Sequence, residues 1–190
     1  KAVNPSTSTP ASANEVAIPD EVVKKTFTTN PDSKNESTQQ HIDFVIKAYS
    51  ENDLFDNGSV MFSEILAHRK PVIVNFWAGL CIPCRAEMVN LQEIHEDFGN
   101  EIILVGLDIG TFAGLGTKND ALELMKVAKT TYPVGSTDRL EVLAHFGVVG
   151  VPFTIFIKPD GSTLQTWIGF INRKSLLDNV NSLLIESRKK

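Results

Sequence analysis

Cysteine is nearly absent from this sequence, with two in 190 residues, Cys81 and Cys84. A disulfide-stapled scaffold is thereby excluded, because a lone Cys-x-x-Cys closes too short a loop to stabilise a fold by much. A structural zinc site lacks ligands as well: His41, His68, His95 and His145 are scattered, and none stands at metal-pair spacing from the cysteines. No metal site is expected. An excess of basic charge is also missing. Eighteen Lys and Arg against 23 Asp and Glu leave a net charge of −5, so the counterion release that drives nucleic-acid binding has no source and nucleic acid is not an expected partner. Long apolar runs are missing too. The longest, 148–157, is broken by Gly150, Pro152 and Thr154 and falls short of the roughly 20 residues of a membrane-spanning helix. There is no internal repeat, and Gly106, Gly110, Gly114 and Gly116 lack both the spacing and the Lys of a phosphate-binding loop.

What remains, 42% hydrophobic and 22% charged residues, is the composition of one globular domain. It is unevenly spread. Residues 1–40 hold nineteen Ser, Thr, Pro or Asn and ten apolar residues, Phe27 being their sole aromatic, and such a stretch cannot repay the entropy of ordering. We therefore divide the chain into a disordered polar tail or spacer, 1–41, and a domain, 42–190. The chain starts at Lys1 with no charged-then-apolar leader pattern, so an upstream segment is expected to have been cleaved or left out. Composition suits a spacer between a membrane anchor and a folded domain and a plain disordered terminus equally.

From Ile42 the apolar pattern alternates strand and helix, which predicts an α/β fold with a mixed sheet covered on both faces. Short strands are expected at 43–49 and 59–62 around the turn Asp56-Asn57-Gly58, then a helical turn at 62–68 and a buried strand at 72–76. A helix should start near Pro83, whose φ suits the first helical position, and end before Gly99. A strand at 102–107 follows. Thr117 to Asp120 reads as a capping box for a helix to about Thr130, and Asp138 as the cap of a short helix ending at Gly147. Strands 153–157 and 164–168 should pair as a hairpin across Pro159-Asp160-Gly161, and an amphipathic helix over 174–185 closes the domain.

The cysteine pair stands where the buried strand gives way to the helix. Unpaired N–H groups and the helix dipole favour an anion there, so Cys81 is expected to have a lowered pKa and to be the attacking thiolate, with Cys84, one turn inside, resolving the mixed disulfide. Two inert core cysteines are the competing reading. At 100° per residue from Cys84, Leu91, Ile94, His95, Phe98 and also Glu87 fall on one face, whereas Glu93, Glu96 and Asp97 face away. Burial should raise the pKa of Glu87, which could then exchange a proton with Cys84. In the alternative, Glu87 sits at the edge of the face and reaches water. His95 is expected to be a hydrogen-bonded histidine at the core boundary.

The run Val72-Ile-Val-Asn-Phe-Trp-Ala-Gly-Leu-Cys-Ile-Pro-Cys-Arg-Ala-Glu87 and the run Gly150-Val-Pro-Phe-Thr-Ile-Phe-Ile157 resemble the two signatures of the thioredoxin-like superfamily, in its TlpA/ResA/CcmG branch of thiol-disulfide oxidoreductases. The likeness covers roughly 42–184. It implies a thioredoxin-like fold with an extra N-terminal hairpin, and a cis Pro152 packed against the dithiol. Val151 would pair its backbone with a partner segment, and the resemblance places Trp77, Ile82, Pro83, Val151 and Pro152 at the substrate. Two departures stand out. Asn75 occupies the place of the buried aspartate of cytoplasmic-type thioredoxins and cannot carry its proton, which leaves Glu87 as the acid/base group. Met88-Val89 follows that glutamate where many relatives have a proline.

The resemblance implies an enzyme that reduces protein disulfides outside the cytoplasm, in the periplasm or at the envelope exterior, tethered by an anchor not contained in this chain. Its substrates would include apocytochrome c, its electrons would come from an upstream thiol reductant, and it would work as a monomer. No cofactor is expected beyond the redox-active Cys81–Cys84 disulfide itself. Two other classes compete. A thiol peroxidase would carry Thr where Ala78 stands, and a copper-binding or non-catalytic module of the same fold would use a wider cysteine spacing and a distant histidine, although two thiolates can hold Cu(I).

Overall fold

The computed structural model describes residues 42–55 and 57–189; the expected tail at 1–41 lies outside the described residues. Seven strands form one sheet in the order β2-β1-β5-β4-β3-β6-β7. Its centre is β3 (Val72–Trp77), parallel to β4 (Ile103–Asp108) and antiparallel to β6 (Phe153–Ile157). β5 (Val134–Ser136) runs parallel to β4, and β7 (Thr163–Ile168) closes one edge against β6. The hairpin β1 (Val45–Ala48) and β2 (Ser59–Met61) extends the other edge, β1 pairing antiparallel with β5.

The period of two along each strand sorts side chains into two cores. Val72, Val74 and Phe76 of β3 pack with Phe62 and Ile65 of α1 (Phe62–Ala67) and Val142 and Phe146 of α5 (Glu141–Phe146). Ile73 and Trp77 point the other way, into a core shared with α2 (Ile82–Phe98), α4 (Lys118–Ala128) and α6 (Arg173–Ser187). Each fully buried Val, Leu, Ile or Phe contributes roughly 1.5–3 kcal/mol, enough in sum to offset the few polar side chains buried among them. Among the described residues those few are Asn75, Glu87, Gln92, Asp108, Thr137 and Thr154.

Most expected elements are present within a residue or two. Asp56 of the expected turn lies outside the described residues, while Asn57 and Gly58 both take positive φ, 48° and 81°. The helix α4 ends at Ala128, two residues before the expected end. The cap assigned to Asp138 is corrected: α5 starts after Leu140 with no side-chain cap, and Asp138 is drawn instead to Lys47 on β1. Two elements had no sequence expectation, β5 and the one-turn α3 (Gly110–Ala113). β5 is three residues long, and its Gly135 has no side chain because a Cβ there would lie 2.4 Å from the Lys47 carbonyl oxygen. No hydrophobic alternation can form over so short a strand.

Candidate active site

β3 delivers the chain to the C-terminal edge of the sheet at Trp77, and Ala78-Gly79-Leu80 turns it into α2. The turn is held from outside and from within. Leu80 N–H donates to the Leu115 carbonyl at 2.9 Å, and Cys81 N–H to that of Ala78 at 3.1 Å. Gly79 lies so close to the first turn of α4 that a Cβ would meet the Ala121 nitrogen at 2.5 Å.

Cys81 is the N-cap of α2, and its Sγ accepts the Cys84 N–H at 3.2 Å. Pro83 takes the second helical position, one later than expected; its missing N–H would have had no intrahelical partner there in any case. Cys81 and Cys84 are joined in a disulfide, with Cα atoms 5.3 Å apart. Cys81 is 6% exposed and Cys84 1%, so the outer sulfur is the one a partner can reach.

One turn beyond Cys84, Glu87 is completely buried, and the alternative of a carboxyl reaching water is ruled out. Its Oε1 accepts Asn75 Nδ2–H at 2.7 Å and the Thr154 hydroxyl at 3.3 Å, and its Oε2 accepts the Ile171 N–H at 2.9 Å. Burial pushes its pKa up to about 7, against the lowering pull of the donors at Ile171, Thr154 and Asn75. Nearby Tyr132 is fully buried; burial first, and the Glu87 charge second, drive its phenol far above the ordinary range.

A family model, described as the AhpC/TSA family, matches residues 38–165. The chain belongs to that family. The thiol-disulfide oxidoreductase ResA of Oceanobacillus iheyensis is 34% identical over 142 residues, spanning 68% of this chain and 68% of that protein. A DsbF homologue from Corynebacterium diphtheriae is 25% identical, covering 74% of this chain and 84% of its own, with a TM-score of 0.60. StoA from Bacillus subtilis, at 16% identity and a TM-score of 0.59, covers 73% of this chain and 96% of its own and shares the fold. The protein is thus a thioredoxin-like thiol-disulfide oxidoreductase of the ResA type.

In this oxidoreductase the second signature meets the first through the sheet. Phe153 pairs with Phe76, so Val151 and Pro152 lie beside the end of β3, next to the turn that carries the cysteines. The Val151–Pro152 peptide is cis, as the resemblance implied. Pro152 is buried and Val151 half-buried, while Ile82 and Pro83 are exposed at the start of α2. Trp77, expected at the substrate, has its side chain fully buried in the α2-side core, because period-two alternation turns it inward with Ile73. The exposed apolar residue ahead of the dithiol is Leu80, which is 59% exposed. His95 is also corrected. It packs edge-on to Tyr132 at 6.2 Å between centroids, but its buried Nδ1 has no hydrogen-bond partner, and burial lowers its pKa.

Three contributors to the site had no sequence expectation: Thr154, the Ile171 N–H and the support beneath the 109–117 segment. In that support Asp108 is buried, its Oδ2 accepting the Tyr49 hydroxyl at 2.7 Å and its Oδ1 the Gly110 N–H at 2.8 Å. Ile109 N–H donates to the Trp77 carbonyl at 2.9 Å, and Lys118 Nζ lies 5.0 Å from the centroid of the Tyr49 ring. The available signal was one polar residue in each of two otherwise apolar buried strands, Asn75 in β3 and Thr154 in β6. Among the described residues, no group of three or more His, Cys, Asp or Glu is gathered to hold a metal ion.

Proposed function

We propose that the enzyme reduces protein disulfides, with Cys81 attacking, Cys84 resolving and Glu87 moving the proton. The observation that carries this reading is the place of Cys81 at the cap of α2, where its sulfur already accepts a helical N–H. In the reduced protein the same donor and the helix terminus favour the thiolate. The Cys81 thiolate attacks one sulfur of the substrate disulfide, forming a mixed disulfide and expelling the other sulfur as a thiolate. Cys84 gives its proton to the Glu87 carboxylate and attacks Cys81 Sγ. This closes the Cys81–Cys84 bridge and releases the second substrate sulfur. The substrate gains two electrons, the dithiol loses two, and an external thiol reductant restores it. Ile82 and Pro83 on the exposed rim, and the backbone at Val151 and Pro152, are the surface that fits the partner segment.

The reducing direction is supported by Glu87. A buried carboxylate one turn from the dithiol opposes thiolate charge beside it, and so favours the disulfide form of this protein. An extracytoplasmic workplace, with residues 1–41 as the spacer from an anchor, is supported by the composition of that stretch and by the compartments in which protein disulfides persist. The cysteines of apocytochrome c are the specific substrate within the same proposal, supported by the family resemblance.

The roles are tested by trapping. With Cys84→Ser, mixed disulfides should accumulate through Cys81, and trapping that required Cys84 instead would overturn the assignment. Direction is tested by redox titration against glutathione: a potential near the thioredoxin value of about −270 mV fits a reductant, and one near about −120 mV an oxidant.

A further inference from the structure

We propose that Asn75 and Thr154 are positioning residues for the Glu87 proton: the Asn75 amide holds the carboxylate form, and the Thr154 hydroxyl turns from donor to acceptor when Glu87 is protonated. This deepens the reading of Glu87 as the acid/base group and rests on it.

The sheet brings the two together. Asn75 on β3 and Thr154 on β6 are directly opposite in the antiparallel register, both on the face that α2 covers, and both are buried, at 1% and 0% exposure. Asn75 Nδ2 carries two hydrogens, and both are spent here. One goes to Glu87 Oε1 at 2.7 Å and the other to Thr154 Oγ1 at 3.0 Å. With one lone pair occupied by Asn75, the Thr154 hydroxyl directs its own hydrogen at Glu87 Oε1 across 3.3 Å. Three side chains therefore close a ring around a single carboxylate oxygen, and the Ile171 N–H satisfies the other at 2.9 Å.

Two of these three donors cannot change role. An amide NH2 and a backbone N–H only donate, so Asn75 Nδ2 and Ile171 N favour the ionised carboxyl and have nothing to accept its proton. A hydroxyl has one hydrogen and two acceptor lone pairs. Thr154 Oγ1 can therefore keep the Asn75 bond and receive the Glu87 O–H on its second lone pair, its own hydrogen rotating away. Among the described residues it is the one hydrogen-bonded partner of Glu87 able to satisfy both protonation states, and a valine in its place could satisfy neither.

Other groups facing Glu87 do not replace it in this part. The dithiol lies on the same helix and is the other end of the proton transfer. Tyr132, entering β5, is neutral across the working range, and His95 stands beyond it. An aspartate or lysine is not found in the ring of partners on β3, β6 or the connection before α6.

The experiment is the pH profile of mixed-disulfide resolution, together with an isotope-edited infrared titration of the Glu87 carboxyl. Both are run on wild type, Glu87→Gln, Asn75→Leu, Thr154→Val and Thr154→Ser. Removing a donor to the charged form in Asn75→Leu should raise the Glu87 midpoint by about one pH unit, at the low end for a hydrogen bond to a charged group. Thr154→Val should raise it less and shift the carbonyl stretch of the protonated carboxyl to higher frequency, as the acceptor is lost. Thr154→Ser, which keeps the hydroxyl, should restore both. If Glu87→Gln flattens the profile while Asn75→Leu and Thr154→Val leave the midpoint and the carbonyl band at their wild-type positions, the ring has no such part and the proposal falls alone. A Glu87→Gln profile that superimposes on wild type overturns the role of Glu87 and the proposal with it. Should Asn75→Leu fail to fold, the Thr154→Val and Thr154→Ser pair decides the question through the infrared band.

Discussion

Glu87 Oε2 accepts the backbone N–H of Ile171 at 2.9 Å, a bond between the active-site helix and the connection into α6, 84 residues further along the chain. The carboxyl therefore holds together two parts of the fold as well as standing beside the dithiol. Its protonation should be felt in stability and not only in catalysis.

The sign follows from linkage. Burial raises the Glu87 pKa from its ordinary 4.5 to about 7 in the folded protein, so the folded state holds the proton more tightly. Its contribution is complete below about pH 4.5 and is lost as pH rises through 7. The full span is roughly 3 kcal/mol at 1.36 kcal/mol per pH unit. Urea unfolding of the oxidised wild type should therefore lose stability between pH 5 and 8 relative to Glu87→Gln. Parallel pH curves for the two proteins would contradict the raised pKa.

Gly79→Ala should be costly out of proportion to one methyl group. The new Cβ would lie 2.5 Å from the Ala121 nitrogen and 2.6 Å from the Asp120 carbonyl carbon, and backbone cannot rotate out of the way. Overpacking of this kind costs about 1–3 kcal/mol. Because the displaced turn carries Leu80 and Cys81, the rate of insulin-disulfide reduction should fall along with the unfolding midpoint. An unchanged rate and midpoint would show that the turn has slack.

Tyr49→Phe removes the hydroxyl that meets buried Asp108 at 2.7 Å. Burial raises the pKa of Asp108, and the bonds from Tyr49 and Gly110 pull it down. Loss of one donor leaves the carboxylate under-satisfied, which should destabilise the protein by about 1–3 kcal/mol at neutral pH. The loss should shrink as Asp108 is protonated at lower pH, since a neutral carboxyl needs less support. Arg173→Ala is the comparison on the surface: the guanidinium reaches Glu93 and Asp97 with all three side chains about half-exposed, and because solvent screens such pairs its loss should move the unfolding midpoint far less than loss of the Tyr49 hydroxyl. Chemical denaturation of the two variants at pH 5 and pH 7 separates them.

The linear pattern made much of this molecule readable. The buried strands expected at 72–76 and 153–157, the helix following the cysteines, the capping box at Thr117 and the hairpin across Asp160 each rest on residues within one element. Helical periodicity alone brought Glu87 to the face of Cys84. The elements that escaped, β5 and α3, are three and four residues long, too short for a period to repeat.

Sequence by itself determined the chemistry available here: a dithiol at a strand-to-helix junction, a carboxyl one turn inside, and an amide where an acid could have stood. Those are local facts, set by spacing along one segment. Tertiary structure alone decided who holds the carboxyl and which side chains a partner can meet. Thr154 comes opposite Asn75 only through the register of β3 and β6, the Ile171 N–H arrives from 84 residues away, and Trp77 turns inward while Leu80 stays at the surface. Hydrogen bonding and burial depend on what is close in space, and across 70 or 80 residues that closeness is created by the sheet.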